Sequence, residues 1–167
     1  MRNELKSLFE PESIAIIGCS PDKKKIGGRP LDYLLKYGFL GSIFPVNPNY
    51  EMIEDMQCYE TIMHVPSEID LAIIALPQKL VLHTFLACIK KNVKSVVIFS
   101  AGFSELGEDG KKDQEQITAL AKKHHIRVLG PNCLGLFNSS KRMYATFSTI
   151  LENEEPLTEG KIGFVSQ

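Results

Sequence analysis

The chain alternates short apolar segments with segments of helical spacing. Residues 70–76 (DLAIIAL) and 95–100 (SVVIFS) are almost continuously apolar, which is typical of strands buried on both faces of a parallel sheet. Further strands are predicted at 13–18, 42–46 and 126–129, and helices at 31–37, 80–91 and 110–125. Because strand and helix alternate, we predict an α/β fold: a Rossmann-like, doubly wound, mostly parallel sheet with helices on both faces.

The carboxyl-terminal part departs from this alternation. Residues 139–149 favour a loop with a short strand at 143–147, and an acidic stretch, ENEEPLTEG, follows. Residues 161–167 (KIGFVSQ) are again typical of a buried parallel strand. We therefore predict a Rossmann-like domain at 1–150, a linker at 151–160 and the start of the first strand of a following domain at 161–167.

Composition excludes several classes of function. A length of 167 residues suits one domain. The 19 Lys and Arg residues balance 20 Asp and Glu residues, so no overall field attracts nucleic acid or a membrane surface. The amino terminus has no apolar signal region. The four cysteines are far apart and form no CxxC pair, which disfavours a zinc site or a disulfide framework and indicates the cytoplasm.

The loop after the first predicted strand indicates a phosphate ligand. In SIAIIGCSPDKKKIGGRP, which covers residues 13–30, Gly18 is followed by three lysines before Gly27 and Gly28. The spacing is longer than the G-x-G-x-x-G turn of dinucleotide-binding proteins. A helix that begins near Gly27 would present free N–H groups and the positive end of its dipole to a phosphate.

The residues at the end of the second predicted strand distinguish between two kinds of nucleotide ligand. NAD-binding proteins usually place an acid there for the ribose hydroxyls, whereas this chain has Asn47 and Pro48. A ligand more anionic than NAD is therefore expected, and coenzyme A has a pyrophosphate and an additional 3′-phosphate. The countercharge is expected from the four loop cations, Lys23, Lys24, Lys25 and Arg29. On the loop alone, a solvated lysine-rich turn remains the alternative.

Five ordered segments carry a family resemblance: LFEPESIAIIGCS, GFLGSIFPVNPNY, DLAIIALP, VVIFSAGFSELGEDG and VLGPNCLGLFN. Together they closely resemble the CoA-binding domain of the NDP-forming acyl-CoA synthetases. That family includes ADP-forming acetate–CoA ligase and, more distantly, the alpha subunit of succinyl-CoA synthetase. The resemblance extends from Leu8 to Gln167.

The resemblance implies CoA or acetyl-CoA as the ligand and implies contacts for individual residues. The residues expected to hold the phosphates are Ser20, Lys25, Ile26 and Gly27. Those expected to border the adenosine part are Asn47 and Pro48. Those expected along the cleft and the pantetheine arm are Pro77, Ser100, Ala101 and Gly102, with Asn132 near the thiol end. The succinate-using relative has a lysine where this chain has Tyr50, and stacking by Tyr50 is the alternative to that contact.

The family reaction converts an acid, CoA and an NTP into acyl-CoA, NDP and phosphate. It needs a phosphohistidine domain and an ATP-grasp module, which this chain lacks, so the implied partners are CoA and the remaining synthetase domains or an ATP-grasp subunit. An oligomer is left open, and catalytic and metal-ligating residues are not expected here. Cys133 is interpreted as a packing residue, and Glu105 and Glu108 as helix first-turn acids.

Two other functions stay open at this point. The same domain occurs as a CoA-sensing regulatory part of protein acetyltransferases. The less favoured alternative is an NAD-binding oxidoreductase domain.

Overall fold

The computed structural model describes residues 5–152, 160 and 163–166. Its helices are α1 (Lys6–Phe9), α2 (Arg29–Lys36), α3 (Gln78–Lys90) and α4 (Glu108–His124). Its strands are β1 (Ser13–Ile17), β2 (Ser42–Val46), β3 (Met52–Ile53), β4 (Met56–Gln57), β5 (Leu71–Ile74), β6 (Ser95–Ile98), β7 (Arg127–Leu129), β8 (Gly135–Asn138) and β9 (Met143–Thr146). Within these residues no helix has the length and apolar character needed to cross a membrane.

The central sheet has five parallel strands in the order β2-β1-β5-β6-β7. The chain passes from β1 to β2 on one side, and then crosses back to β5 on the other side. The switch point of a doubly wound sheet therefore lies between β1 and β5, where such folds bind their ligands. The predicted α/β, Rossmann-like fold is confirmed.

Both faces of the sheet are covered, and alternate residues of β1 contribute to the core on each face. Ala15 and Ile17 pack with α3 and α4, through side chains that include Phe85 and Ile117. Ile14 and Ile16 pack on the other face with α1, α2 and β9. The four residues of β5 and the four of β6 are all buried, which explains their continuous apolar sequence.

The charges of α4 match its dipole, as the sequence predicts. Glu108 and Asp109 lie in the first turn, and Lys122, Lys123 and His124 lie in the last. The helix ends at His125, which adopts the left-handed conformation with φ of 56°.

A strap of residues 148–152 lies along α2. The Tyr33 hydroxyl donates to the carbonyl oxygen of Ser148 at 2.9 Å, and the Tyr37 hydroxyl donates to that of Leu151 at 2.7 Å. At the first residue of the helix, the Arg29 guanidinium forms an ion pair of 2.9 Å with Glu152. These contacts fix the strap to the helix that follows the β1 loop.

Two short hairpins were not predicted from the sequence. β3 pairs with β4, and β8 pairs with β9 in antiparallel register. Strands of two residues show no periodicity to detect, and β8 is only partly buried, so its apolar pattern is weak. The strand predicted at 143–147 is present as β9. The predicted linker at 151–160 lies mainly outside the described residues. Of the predicted strand at 161–167, residues 163–166 are described; they are exposed and belong to none of the strands given above.

Candidate functional site

The predicted site residues meet at one edge of the sheet. Because the five central strands are parallel, their carboxyl ends share that edge. The segments that leave it are residues 18–28 after β1, 47–51 after β2, 75–77 after β5, 99–103 after β6 and 130–134 after β7. They contain all of the expected contact residues: Ser20, Lys25, Ile26, Gly27, Asn47, Pro48, Pro77, Ser100, Ala101, Gly102 and Asn132.

The loop at 18–28, called the phosphate loop below, closes on itself. The Ser20 N–H donates to the carbonyl oxygen of Gly27 at 3.4 Å. A Cβ on Gly27 would overlap the carbonyl oxygen of Gly18, and one on Gly28 would overlap that of Asp22. These glycines are therefore required by the packing of the loop against its own backbone, and Gly27 does not need a left-handed φ.

Three backbone donors of the phosphate loop, the N–H groups of Lys23, Ile26 and Gly27, have no acceptor in the described part of the chain. The N–H groups of Gly28 and Arg29 both donate to the carbonyl oxygen of Lys25. The N–H groups of Ile26 and Gly27, just before them, have no partner among the described residues. They lie at the amino-terminal, positive end of α2, which is a favourable place for an anion.

The loop cations divide into two groups. The Lys23 ammonium lies 2.8 Å from the Asp32 carboxylate and 3.8 Å from that of Glu54, and the hydrogen bond to Asp32 raises the pKa of Lys23. Arg29 is paired with Glu152. Lys24 and Lys25 form no ion pair with the described residues, so the countercharge expected from four cations is reduced to these two.

The loop after β2 is tied to the phosphate loop. The Asn47 side-chain nitrogen donates to the carbonyl oxygen of Cys19 at 2.7 Å, and its side-chain oxygen accepts the Asn49 N–H at 3.0 Å. The Asn47 side chain is thus engaged by the protein itself. Pro48 and Tyr50 are exposed beside it.

The ends of β5, β6 and β7 are held together by Ser100. Its hydroxyl donates to the carbonyl oxygen of Leu76 at 2.5 Å. Its own carbonyl oxygen accepts the Asn132 N–H at 2.9 Å. The segment expected along the pantetheine arm therefore offers backbone groups, because the Ser100 side chain is already occupied.

Glu105 has a role that the sequence did not reveal. Its carboxylate accepts the N–H groups of Gly102 at 2.7 Å and Phe103 at 3.1 Å, and these bonds, chiefly the one from Gly102, lower the pKa of Glu105. Glu105 precedes α4 in the chain, and through these two bonds its carboxylate caps the loop after β6. Glu108 is one of the two first-turn acids of α4, as predicted.

The thiols near this edge are not poised as nucleophiles. Burial raises the pKa of Cys133, and its sulfur contacts the carbonyl oxygens of Ile98 and Leu129. Burial raises the pKa of Cys19 to about 12. Both side chains are therefore protonated packing residues at neutral pH, in agreement with the interpretation of Cys133.

A groove of about 390 Å³ lies between α4 and β7, lined by residues that include Ile117, Lys122 and Val128. It lies at the outer edge of the sheet, whereas the free backbone donors lie next to β1. We assign the candidate site to the carboxyl edge near β1, because concentrated donors and unpaired cations decide where an anionic ligand binds.

The chain is similar to known proteins over most of its length. The sequence profile of a family described as CoA binding domain matches residues 12–139. The alpha subunit of ADP-forming acetate–CoA ligase II from Pyrococcus furiosus is 39% identical over 163 residues, which cover 98% of this chain and 34% of that protein. ADP-forming acetate–CoA ligase II from Archaeoglobus fulgidus is 39% identical over 164 residues, with 98% and 24% covered.

Solved structures show the same similarity. Acetyl-coenzyme A synthetase 1 of Ca. Korarchaeum cryptofilum, in complex with phosphate and ADP, matches with a TM-score of 0.81 and 38% identity, over 86% of this chain and 30% of that one. A Pyrococcus horikoshii crystal structure matches with a TM-score of 0.82 and 41% identity, over 87% and 33%. The chain therefore spans about a third or less of the length of these relatives.

Proposed function

The chain belongs to the CoA-binding domain family, and we propose that it binds coenzyme A at the carboxyl edge of its sheet as part of an NDP-forming acyl-CoA synthetase. The observation that carries this proposal is the phosphate loop. It combines the N–H groups of Ile26 and Gly27 with the ammonium of Lys25 just before α2, and none of the three has a partner among the described residues. Such a combination suits the pyrophosphate of CoA.

The remaining contacts follow the order of the strands from the phosphate loop. Within the described part of the chain the Ser20 oxygen accepts the Asp22 N–H and donates to no acceptor, so its hydroxyl proton is available to a ligand. Pro48 and Asn47 border the adenosine part, with exposed Tyr50 beside them as a stacking surface. The segments that receive the pantetheine arm contain Pro77, Ser100, Ala101, Gly102 and Asn132.

In this proposal the domain binds and orients CoA, and other parts of the protein perform the phosphoryl and acyl transfers. Relatives of 37% and 39% identity over nearly this whole chain are named 4-hydroxybutyrate–CoA ligase and acetate–CoA ligase. Their named acids differ, whereas CoA is common to both names. The domain is therefore proposed to recognise the shared substrate, and the acid is selected elsewhere. The partners proposed are the remaining synthetase domains or an ATP-grasp subunit.

Calorimetric titration of the purified 167-residue chain with CoA, acetyl-CoA and NAD tests the proposal. CoA and acetyl-CoA are expected to bind more tightly than NAD, because Lys24 and Lys25 favour the more anionic ligand and residue 47 offers no acid to a ribose. Added salt should weaken CoA binding, since the loop cations are exposed. Equal or tighter binding of NAD would refute the proposal.

A further inference from the structure

Asn47 uses all of its polar groups on neighbouring segments of the protein. Besides the side-chain bonds to Cys19 and Asn49, its backbone N–H donates to the carbonyl oxygen of Tyr59 at 2.9 Å. Its carbonyl oxygen accepts the Cys58 thiol, with sulfur and oxygen 3.5 Å apart. Asn47 therefore joins the phosphate loop, the loop after β2 and the segment after β4.

The bond to Cys19 acts where the phosphate loop leaves the sheet. The Gly18 N–H still donates to Val46 on β2 at 2.9 Å. Two residues later, the Ser20 N–H already closes the loop onto Gly27. The Cys19 carbonyl lies between these two bonds, so its direction sets the path of the loop that presents the free N–H groups.

The Cys19 carbonyl oxygen accepts its hydrogen bond from residue 47, and this requirement disfavours an ionised acid there. An ionised carboxylate has only acceptors and would face the Cys19 oxygen across a distance at which the amide nitrogen now donates. We infer that Asn47 is a positioning residue, which holds the phosphate loop in its binding shape through the Cys19 carbonyl. This role rests on the proposed function. It also explains in structural terms why residue 47, after β2, is Asn and not an acid.

Three variants of the 167-residue chain test this role by CoA titration at pH 8. Asn47→Ala removes the donor and should weaken CoA binding about three- to tenfold. Asn47→Asp adds repulsion to the same loss and should weaken binding more than Asn47→Ala does. Asn49→Asp is the matched control, because it places the same charge two residues away on an exposed side chain, and it should change affinity by less than about twofold.

A pH profile separates this role from general damage to the fold. As the pH falls from 8 to 4, close to the ordinary Asp pKa of about 3.9, the carboxyl introduced by Asn47→Asp takes up a proton and can then donate an O–H to the Cys19 oxygen. Its CoA affinity should approach that of the wild-type protein. The thiols of Cys19 and Cys58 contact this site, but burial raises the pKa of both, and the Lys23–Glu54 pair is common to both proteins. The affinity ratio of variant to wild type at each pH therefore reports residue 47.

The outcomes separate this inference from the proposed function. If the wild-type chain binds CoA and Asn47→Asp binds it equally well, or Asn49→Asp loses as much, the positioning role is wrong. If the wild-type chain does not bind CoA, the proposed function fails instead. Amide hydrogen exchange of residues 20–27 without ligand then still tests the role, since Asn47→Ala should accelerate it. If Asn47→Asp does not fold, the exchange measurement on Asn47→Ala is used in its place. Unchanged exchange of residues 20–27 in Asn47→Ala would overturn the role.

Discussion

Replacement of Gly27 by alanine tests whether the shape of the phosphate loop determines CoA binding. The added Cβ would overlap the backbone oxygen of Gly18, and its next neighbours are the Gly18 carbonyl carbon at 3.1 Å and the Ala75 Cβ at 3.6 Å. A backbone oxygen cannot rotate away as a side chain can, so the loop and the end of β1 must separate by on the order of 1 Å.

The cost of this separation can be estimated from core substitutions. Overpacking by a methyl group costs about 1–3 kcal/mol, and a domain of this size loses roughly 2–4 °C of melting temperature per kcal/mol. Gly27→Ala should therefore lower the melting temperature by roughly 2–12 °C. Because the N–H groups of Ile26 and Gly27 move with the loop, CoA affinity should fall by at least about tenfold.

Thermal unfolding and calorimetric titration measure the two effects separately. Gly160→Ala is the matched control, since a Cβ there meets no atom of the described residues within 4 Å, and it should leave both quantities unchanged. A destabilised Gly27→Ala protein that still binds CoA normally would show that the phosphates do not lie on this loop. A variant with wild-type stability and affinity would refute the packing argument itself.

Three further substitutions test charges. Lys25→Ala should weaken CoA binding roughly ten- to a hundredfold at low salt and less at high salt. Lys23→Ala should weaken it less, because the Lys23 ammonium is already paired with Asp32. An equal loss of affinity in titrations of both variants would assign the effect to net charge alone. Burial tends to raise the pKa of Asp70, but bonds from Lys94 and the Glu12 N–H outweigh it and leave that pKa lowered. Its stabilisation is therefore present above the unfolded pKa of about 3.9 and is lost as the pH falls through the lower folded value. Asp70→Asn should thus reduce the free energy of unfolding by about 1–2 kcal/mol at pH 7. This difference between variant and wild type should shrink below about pH 4. Urea denaturation that shows the same difference at pH 7 and below about pH 4 would contradict this.

The central strands could be predicted from the sequence because they are buried on both faces. The runs at β5 and β6 contain little besides apolar residues, and no helix of ordinary amphipathic pattern has that composition. Once the strands are placed, parallel topology alone brings their carboxyl-terminal loops together. The edge of the sheet that holds the candidate site was therefore predictable.

The roles of individual polar groups were not predictable, because they depend on contacts between distant residues. Arg29 and Glu152 are 123 residues apart, and no local pattern indicates that this cation is already paired. Glu105 resembles an ordinary helix acid in sequence, although it caps Gly102 and Phe103. Asn47 lies in the expected place, but its direction towards Cys19 follows only from the folded backbone.

The strap of residues 148–152 is attached to α2, and α2 follows directly after the phosphate loop. Helix α2 has 8 residues, so it is about 12 Å long. One end of this short rod begins at the phosphate loop, and its side carries residues 148–152. Glu152, the last residue of the strap, is tied by its ion pair with Arg29 to the helix that follows the phosphate loop. If CoA binds at the loop as proposed, any shift of α2 on binding would be passed directly to the strap, because the loop and the strap are attached to the same helix.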